Sequence, residues 1–193
     1  MHKRIILASA SPRRRQLLEQ CGISFEVMPA NIDEANTQNL APADFTLFIS
    51  KEKAKAVAEK LSFEEDAVII AADTIVVLDN EVLGKPADED EAFLMLQKLQ
   101  GKQHSVYTGI TVGFLSSGGM EYIQDVCQSD VTMYSIRDGE ILEYIKTKEP
   151  LDKAGSYAVQ GIGRKFIERV DGDFNNVVGL STDRLKALFK QIN

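Results

Sequence analysis

Hydroxyl and guanidinium side chains cluster near the start of the chain. Ser11 and Pro12 are typical of the N-cap and the first residue of a helix, and three consecutive arginines, 13–15, follow in its first turn. Cations are disfavoured there, because the N-terminus of a helix is the positive end of its dipole. A bound phosphate removes the conflict, since helix N–H groups and guanidinium groups both bind it; otherwise the arginines bind acidic residues elsewhere in the protein. The residues assigned to this phosphate site are Ser9, Ser11, Arg13 and Arg14.

A carboxylate interrupts the most apolar segment of the chain. Residues 67–78 are apolar and β-branched, which predicts a central β-strand, yet Asp73 lies in the middle of them. An unpaired buried carboxylate is costly, so Asp73 should meet a cation, a metal ion or water. Residues 79–80 have the composition of a two-residue hairpin turn, and counting outward from them pairs Thr74 with Lys85, next to Asp73. A structural Asp–Lys pair and a catalytic one are equally compatible with this pattern.

Other polar residues give weaker indications. The acidic pair 33–34 lies in a polar segment, and three lysines alternate within residues 51–55 of a predicted helix; both patterns are typical of solvated surfaces. Residues 150–163 are rich in glycine and low in charge, which indicates a shaped loop. His104 is interpreted as a structural residue and Cys21 as a core residue, because neither has the partners of a nucleophile or metal site.

Predicted strands and helices alternate loosely along the chain, which indicates an α/β fold with a mixed sheet, since hairpins add antiparallel strands. We find no repeat or linker and predict a single domain, 1–193. From capping residues and apolar periodicity, helices are predicted at 12–21, 42–61, 88–99, 138–147 and 182–192. Strands are predicted at 4–8, 23–28, 67–78, 105–115, 120–134 and 165–170.

The overall composition excludes several classes of protein. The chain has 193 residues, of which 44% are hydrophobic and 26% charged, as in ordinary globular proteins. Its net charge of −7 argues against a general nucleic-acid-binding protein, which would be basic. Two cysteines are too few for a disulfide framework, and no apolar run is long enough to span a bilayer. We therefore expect a cytoplasmic protein that binds neither nucleic acid nor membranes.

Taken together, these segments resemble the Maf family of nucleoside triphosphate pyrophosphatases. The matching segments are 8–14, 51–54, 72–74, 84–86 and 149–155. They occur in the order that the family has and extend over nearly the whole chain. The resemblance implies an elongated mixed-sheet α/β fold, related to inosine triphosphate pyrophosphatases, in which two lobes surround a central cleft.

The resemblance also implies a reaction, the hydrolysis of a nucleoside triphosphate to the monophosphate and pyrophosphate with Mg²⁺ or Mn²⁺ as cofactor. Asp73 matches the family's proton acceptor, and Lys85 is the second residue expected in catalysis. Glu34 and Asp73 are the candidate metal ligands, because Mg²⁺ favours a few carboxylates together with phosphate oxygens. The cations expected to neutralise the triphosphate are Arg13, Arg14, Lys53 and Lys85.

Three further positions match residues that sort substrates within the family. They are Arg13, Thr74 and Gln160, and they resemble the branch that acts on dTTP, UTP and modified pyrimidine nucleotides. One departure is Ser-Tyr-Ala at 156–158, where the family pattern has Ala-Tyr-Gly. Two alternatives stay open: the branch that acts on 7-methyl-GTP, and a non-catalytic nucleotide-binding regulator of septum formation and cell division. The resemblance also implies a homodimer.

Overall fold

The computed structural model describes residues 4–35, 38–61 and 66–191. The strands of these residues are β1 (Arg4–Leu7), β2 (Glu26–Val27), β3 (Ala67–Leu78), β4 (Glu81–Leu83), β5 (Gln103–Ser116), β6 (Gly119–Met133) and β7 (Ile167–Asp171). Their α-helices are α1 (Pro12–Gln20), α2 (Pro42–Ala58), α3 (Glu89–Leu99), α4 (Asp138–Lys146), α5 (Phe174–Val178) and α6 (Thr182–Lys190). Three 3₁₀-helices span Glu149–Asp152, Ala154–Ser156 and Gly161–Phe166. Within these ranges, none of the helices combines the length and apolar character that crossing a membrane requires.

The strands form one mixed sheet, which confirms the predicted fold class. Their order is β2-β1-β3-β5-β6-β7, and β4 pairs with β3 outside this path. The pairs of β1 with β2 and β3 are parallel, whereas β4 on β3 and β7 on β6 are antiparallel. The interior position of β3 explains why every one of its residues except Thr74 is buried.

The chain divides into two compact units. The first unit comprises the described parts of Met1–Asp73, Thr108–Cys127 and Gly179–Asn193, and the second comprises Thr74–Tyr107 and Gln128–Val178. Strands β3, β5 and β6 each pass from one unit to the other. The elongated shape, the central cleft, the single domain and the relation to inosine triphosphate pyrophosphatases stay predictions.

Small residues allow α2 to pack closely on the sheet in the first unit. Gly109 of β5 lies directly against the helix backbone, so that a Cβ at this position would be 2.4 Å from the carbonyl carbon of Thr46. Because such a contact is far inside van der Waals distance, Gly109 fixes how closely α2 approaches. The buried cluster that α2 forms with the first unit's strands consists of Ile6, Ala8, Ala54, Val57, Ala58, Ala67, Ile69, Ala71 and Leu115.

The predicted elements agree with the structure best where the pattern is long. Strand β3 has the predicted bounds, and Asp88 caps α3 by accepting a hydrogen bond from the Glu91 N–H at 2.9 Å. The predicted strand at 23–28 is wrong in length, because β1 offers only Ile6 and Leu7 as pairing partners. Cys21, expected in the core, is half-buried. Helix α5 and the 3₁₀-helices were not predicted, since they are too short for a periodic pattern.

Candidate active site

The turn before α1 joins two serines to an arginine. Ser11 is the N-cap of α1, and its Oγ accepts the backbone N–H of Arg14 at 3.5 Å. The Oγ of Ser9 accepts the N–H of Ser11 at 3.2 Å and Nη1 of Arg14 at 3.3 Å, while Nε of Arg14 donates to the carbonyl oxygen of Gly179 at 2.8 Å. The described bonds of Ser9 use its oxygen as an acceptor, so its hydrogen is available to donate to an anion.

Lys53 of α2 bridges two carboxylates. Its Nζ lies 2.8 Å from Oδ1 of Asp73 on β3 and 2.8 Å from Oε1 of Glu34. Lys53 and Asp73 are only 6% and 5% exposed, whereas about half of the Glu34 side chain is exposed, at 48%. Buried charges persist where they are paired, so Lys53 is the group that stabilises a carboxylate inside β3.

Arg14 interacts electrostatically with the same carboxylates and with Arg13. Burial lowers the pKa of Arg14 below its ordinary value, the negative charges of Asp73 and Glu34 act in the opposite direction, and the positive charge of Arg13 adds to the lowering. Arg14 nevertheless stays protonated at neutral pH, as arginines do. We call the group of Arg13, Arg14, Glu34, Lys53 and Asp73 the charged cluster; it has one more cation than carboxylates.

Within the first unit, the cation that pairs with Asp73 is Lys53 of α2. Counting residues outward from the hairpin turn predicted Lys85 instead. The hairpin itself is confirmed, since Leu78 pairs with Glu81 and Val76 with Leu83. Its ladder ends at Leu83, and Lys85 beyond it is exposed. The position of Lys85 next to Asp73 therefore stays a prediction.

The solvated-surface interpretation of the alternating lysines is wrong for Lys53. Lys55 does lie at the surface, with Glu52 as its partner at 2.5 Å, but Lys53 is buried. Its position could have been found from spacing, because Lys53 lies four residues after Ile49 and four before Val57, both of which are buried. A lysine on the apolar face of a helix requires a buried acidic partner.

Three predicted site residues belong to the second unit. Thr74 is half-buried, and Lys85 and Gln160 are exposed. Gln160 directly precedes the 3₁₀-helix Gly161–Phe166. The assignment of these residues to the site stays a prediction, whereas Ser9, Ser11, Arg13, Arg14, Glu34, Lys53 and Asp73 all belong to the first unit.

The fold and the charged cluster define an α/β protein with a cationic, hydroxyl-lined helix N-terminus suited to an anionic ligand. Residues 4–192 match the family model described as Maf-like protein, and the chain belongs to this family.

Relatives named dTTP/UTP pyrophosphatase cover nearly the whole chain. One from Caldicellulosiruptor bescii is 47% identical over 191 residues, which are 98% of this chain and 95% of the relative. One from Thermoanaerobacter pseudethanolicus is 45% identical over 188 residues, covering 97% and 96%. One from Bacillus cereus (strain ATCC 10987) is 42% identical over 191 residues, covering 99% and 91%.

Proposed function

We propose that this protein is a nucleoside triphosphate pyrophosphatase that hydrolyses dTTP and UTP to the monophosphate and pyrophosphate. The observation that carries the proposal is the buried Asp73–Lys53 pair in a chain of the Maf family. Relatives at 42–47% identity that are named dTTP/UTP pyrophosphatase support the choice of substrate. The proposed reaction belongs to the hydrolases that act on acid anhydrides.

The N-terminus of α1 is the proposed site of the triphosphate. Ser9 donates its hydroxyl hydrogen, and Arg13 and Arg14 supply guanidinium groups beside the free N–H groups of the helix. No acidic residue lies in the first turn of α1, so nothing in that turn competes with an anion for these donors. Lys85, from the second unit, is the proposed additional cation.

Asp73 is the proposed general base. It takes a proton from a water molecule whose oxygen forms a bond to the α-phosphorus, while the bond from that phosphorus to the bridging oxygen breaks and pyrophosphate leaves. Lys53 keeps the buried carboxylate in place at 2.8 Å. The cations of the charged cluster stabilise the negative charge that develops on the phosphate oxygens.

We propose a divalent metal ion, Mg²⁺ or Mn²⁺, as the cofactor. Glu34 and Asp73 fit such an ion, because their oxygens converge on one cation, the Nζ of Lys53, at 2.8 Å each. Among the described residues, no three histidine, cysteine or acidic side chains are grouped so that they could hold a metal ion, so phosphate and water oxygens would complete the coordination, as is usual for Mg²⁺. When bound, the ion would neutralise charge on the triphosphate.

Pyrimidine selectivity is proposed for Arg13, Thr74 and Gln160. Uracil and thymine present two carbonyl acceptors and one N3–H donor, and a glutamine amide offers the complementary donor and acceptor. The family resemblance at these three positions supports the assignment. We also propose that the protein acts in the cytoplasm, which is consistent with its two free cysteines, Cys21 and Cys127, and that it forms a homodimer.

Pyrophosphate release from a panel of nucleotides tests the function. The panel contains UTP, dTTP, CTP, ATP, GTP and 7-methyl-GTP, each with Mg²⁺, with Mn²⁺ and with a chelator. We expect metal-dependent release, fastest from UTP and dTTP. Release no faster than a blank for every nucleotide would favour a non-catalytic regulator, and a preference for 7-methyl-GTP would assign the other branch of the family.

A further inference from the structure

The backbone after Gln160 is held by a carboxylate. Oε1 of Glu149 accepts the N–H of Ile162 at 3.1 Å, and Oε2 accepts the N–H of Gly163 at 2.9 Å. One side chain therefore binds two successive N–H groups, which fixes the direction in which the chain leaves Gln160. Both ends of this contact lie in the second unit.

The backbone before Gln160 is held by the same hydrogen-bonded pair. The hydroxyl of Tyr144 accepts the N–H of Ala158 at 3.2 Å and donates to Glu149. Tyr144 is 1% exposed, and its ring packs edge-to-face on Phe166 at 5.2 Å between centroids. A rigid, fully buried ring thus connects the two sides of the segment 158–163, and we call Tyr144 and Glu149 the clamp.

Two glycines make room for the clamp. Gly161 has a φ of +77°, and a Cβ there would lie 2.2 Å from Oε1 of Glu149. A Cβ on Gly163 would lie 2.5 Å from the Tyr144 hydroxyl. The glycine spacing that predicts a shaped loop is therefore explained by close approach of the backbone to these two side chains.

The clamp keeps a negative charge at neutral pH. Burial raises the pKa of Glu149, but hydrogen bonds from Tyr144, Gly163 and Ile162 and the charge of Lys153 outweigh burial, and the pKa lies below its ordinary value. Lys153 also donates from Nζ to the Glu149 carbonyl oxygen at 2.7 Å, which fixes the backbone of the glutamate. An ionised carboxylate is the form that accepts hydrogen bonds at both oxygens.

We propose that Glu149 and Tyr144 are positioning residues for base recognition: they hold Gln160 in the backbone conformation from which its amide selects uracil and thymine nucleotides. This inference rests on the proposed function. The clamp binds the chain on both sides of Gln160 and leaves that residue exposed between them. A recognition site made of fixed hydrogen-bonding groups rejects a base that leaves them unpaired, and a movable glutamine loses this advantage.

Two substitutions loosen the clamp without removing its bulk. Tyr144→Phe keeps the ring and loses both hydroxyl contacts, whereas Glu149→Gln replaces one acceptor oxygen by an NH₂ group that faces an N–H. Matched controls are Tyr134→Phe, whose side chain is 51% exposed, and Glu143→Gln on the same helix as Tyr144, where the carboxylate contacts Lys146 at the surface. The controls make the same two chemical changes at residues outside the clamp.

Steady-state kinetics with UTP and CTP measure the predicted effect. Each clamp variant should lower the preference for UTP over CTP by about threefold to tenfold, the scale of one or two lost hydrogen bonds. The change should lie in KM, with kcat within about twofold, because the proposed role of the clamp is in recognition of the base and not in the chemical step. In a Gln160→Ala background, Glu149→Gln should lower the preference no further, since both changes remove the same interaction.

Amide hydrogen exchange at residues 158, 162 and 163 gives a readout without activity. Exchange should accelerate in both clamp variants and stay unchanged in both controls. A wild-type enzyme that shows no preference for UTP and dTTP would overturn the proposed function, while exchange would still test the clamp. Unchanged UTP preference in variants whose exchange has accelerated would overturn the positioning role, and so would additive losses in the double variant.

Discussion

The charged cluster of the first unit and the Gln160 segment of the second unit are held in place by different forces. Lys53 and Asp73 are fixed by opposite charges that are both buried, so neither can leave without making the other a buried, unpaired charge. Gln160 is fixed through backbone N–H groups, by a half-buried carboxylate and a tyrosine. The proposed chemistry therefore depends on charge placement, whereas the proposed selectivity depends on backbone shape.

The largest effect is expected for Asp73→Asn. The substitution preserves shape but removes a proton acceptor, so kcat for UTP should fall by about 10²–10⁴. Circular dichroism and thermal unfolding check that the variant is folded. A kcat near the wild-type value in folded Asp73→Asn would exclude Asp73 as the general base. The charged cluster would then have a structural role only.

Among the proposed substitutions, Lys53→Met should lower the free energy of unfolding most strongly. It leaves Asp73 buried without its ammonium, which costs about 3–5 kcal/mol for a buried pair. Urea unfolding gives the free energy of unfolding, with Lys55→Met as the matched control, because Lys55 lies on the same helix and is only half-buried. Adding Asp73→Asn should recover part of the loss; a loss in Lys53→Met no greater than in Lys55→Met would show that the pair is not a constraint.

Gly109→Ala tests whether close packing of α2 positions the charged cluster. The new methyl group would contact the carbonyl of Thr46, so we expect a loss of about 1–3 kcal/mol from overpacking and a lower kcat as Lys53 is displaced. Gly139→Ala in α4 is the control, because a Cβ there meets nothing within 4 Å. Equal unfolding midpoints for the two variants would contradict this account of α2.

The second unit should have a pH dependence that the charged cluster does not explain. His104 is buried, with Nε2 2.7 Å from the Tyr157 hydroxyl, and burial lowers its pKa from 6.5 to about 4, against the raising effect of Asp130. Between pH 6.5 and about 4, His104 is therefore protonated in the unfolded chain but stays neutral in the folded chain. Stability should fall with pH between 6.5 and 4, by at most about 1.4 kcal/mol per unit.

His104→Gln separates this effect from the titration of carboxylates. The amide cannot titrate, so the free energy of unfolding of the variant should change less between pH 6.5 and 4.5 than that of the wild type. Parallel pH profiles for the two proteins would exclude His104 as the source. The catalytic role proposed for Asp73 does not enter this experiment, because only the free energy of unfolding is measured.

The sequence predicts the parts of the molecule that depend on local pattern. Strand β3 is predictable because its apolar and β-branched run is long, and a cost for burying Asp73 follows from the same run. Which lysine meets Asp73 is not predictable from the hairpin, since the contact with Lys53 is 20 residues away and depends on how α2 packs. The spacing along α2 can identify Lys53 as the partner, because it places this lysine on the buried face of the helix.

The clamp lies beyond local pattern for a different reason. Glu149 and Gly163 are 14 residues apart, and the backbone between them has positive φ values at Gly155, Ser156 and Gly161. Sequence indicates a shaped loop from its glycines but does not specify which side chain the backbone approaches. Backbone reversals of this kind are decided by tertiary contacts rather than by periodicity.

The position of bond cleavage tests the central claim most directly. Hydrolysis of UTP in H₂¹⁸O, followed by mass spectrometry of both products, reports which phosphorus the water attacks. Attack at the α-phosphorus predicts one ¹⁸O atom in UMP and none in pyrophosphate. Label in pyrophosphate, or release of inorganic phosphate with UDP, would contradict the account.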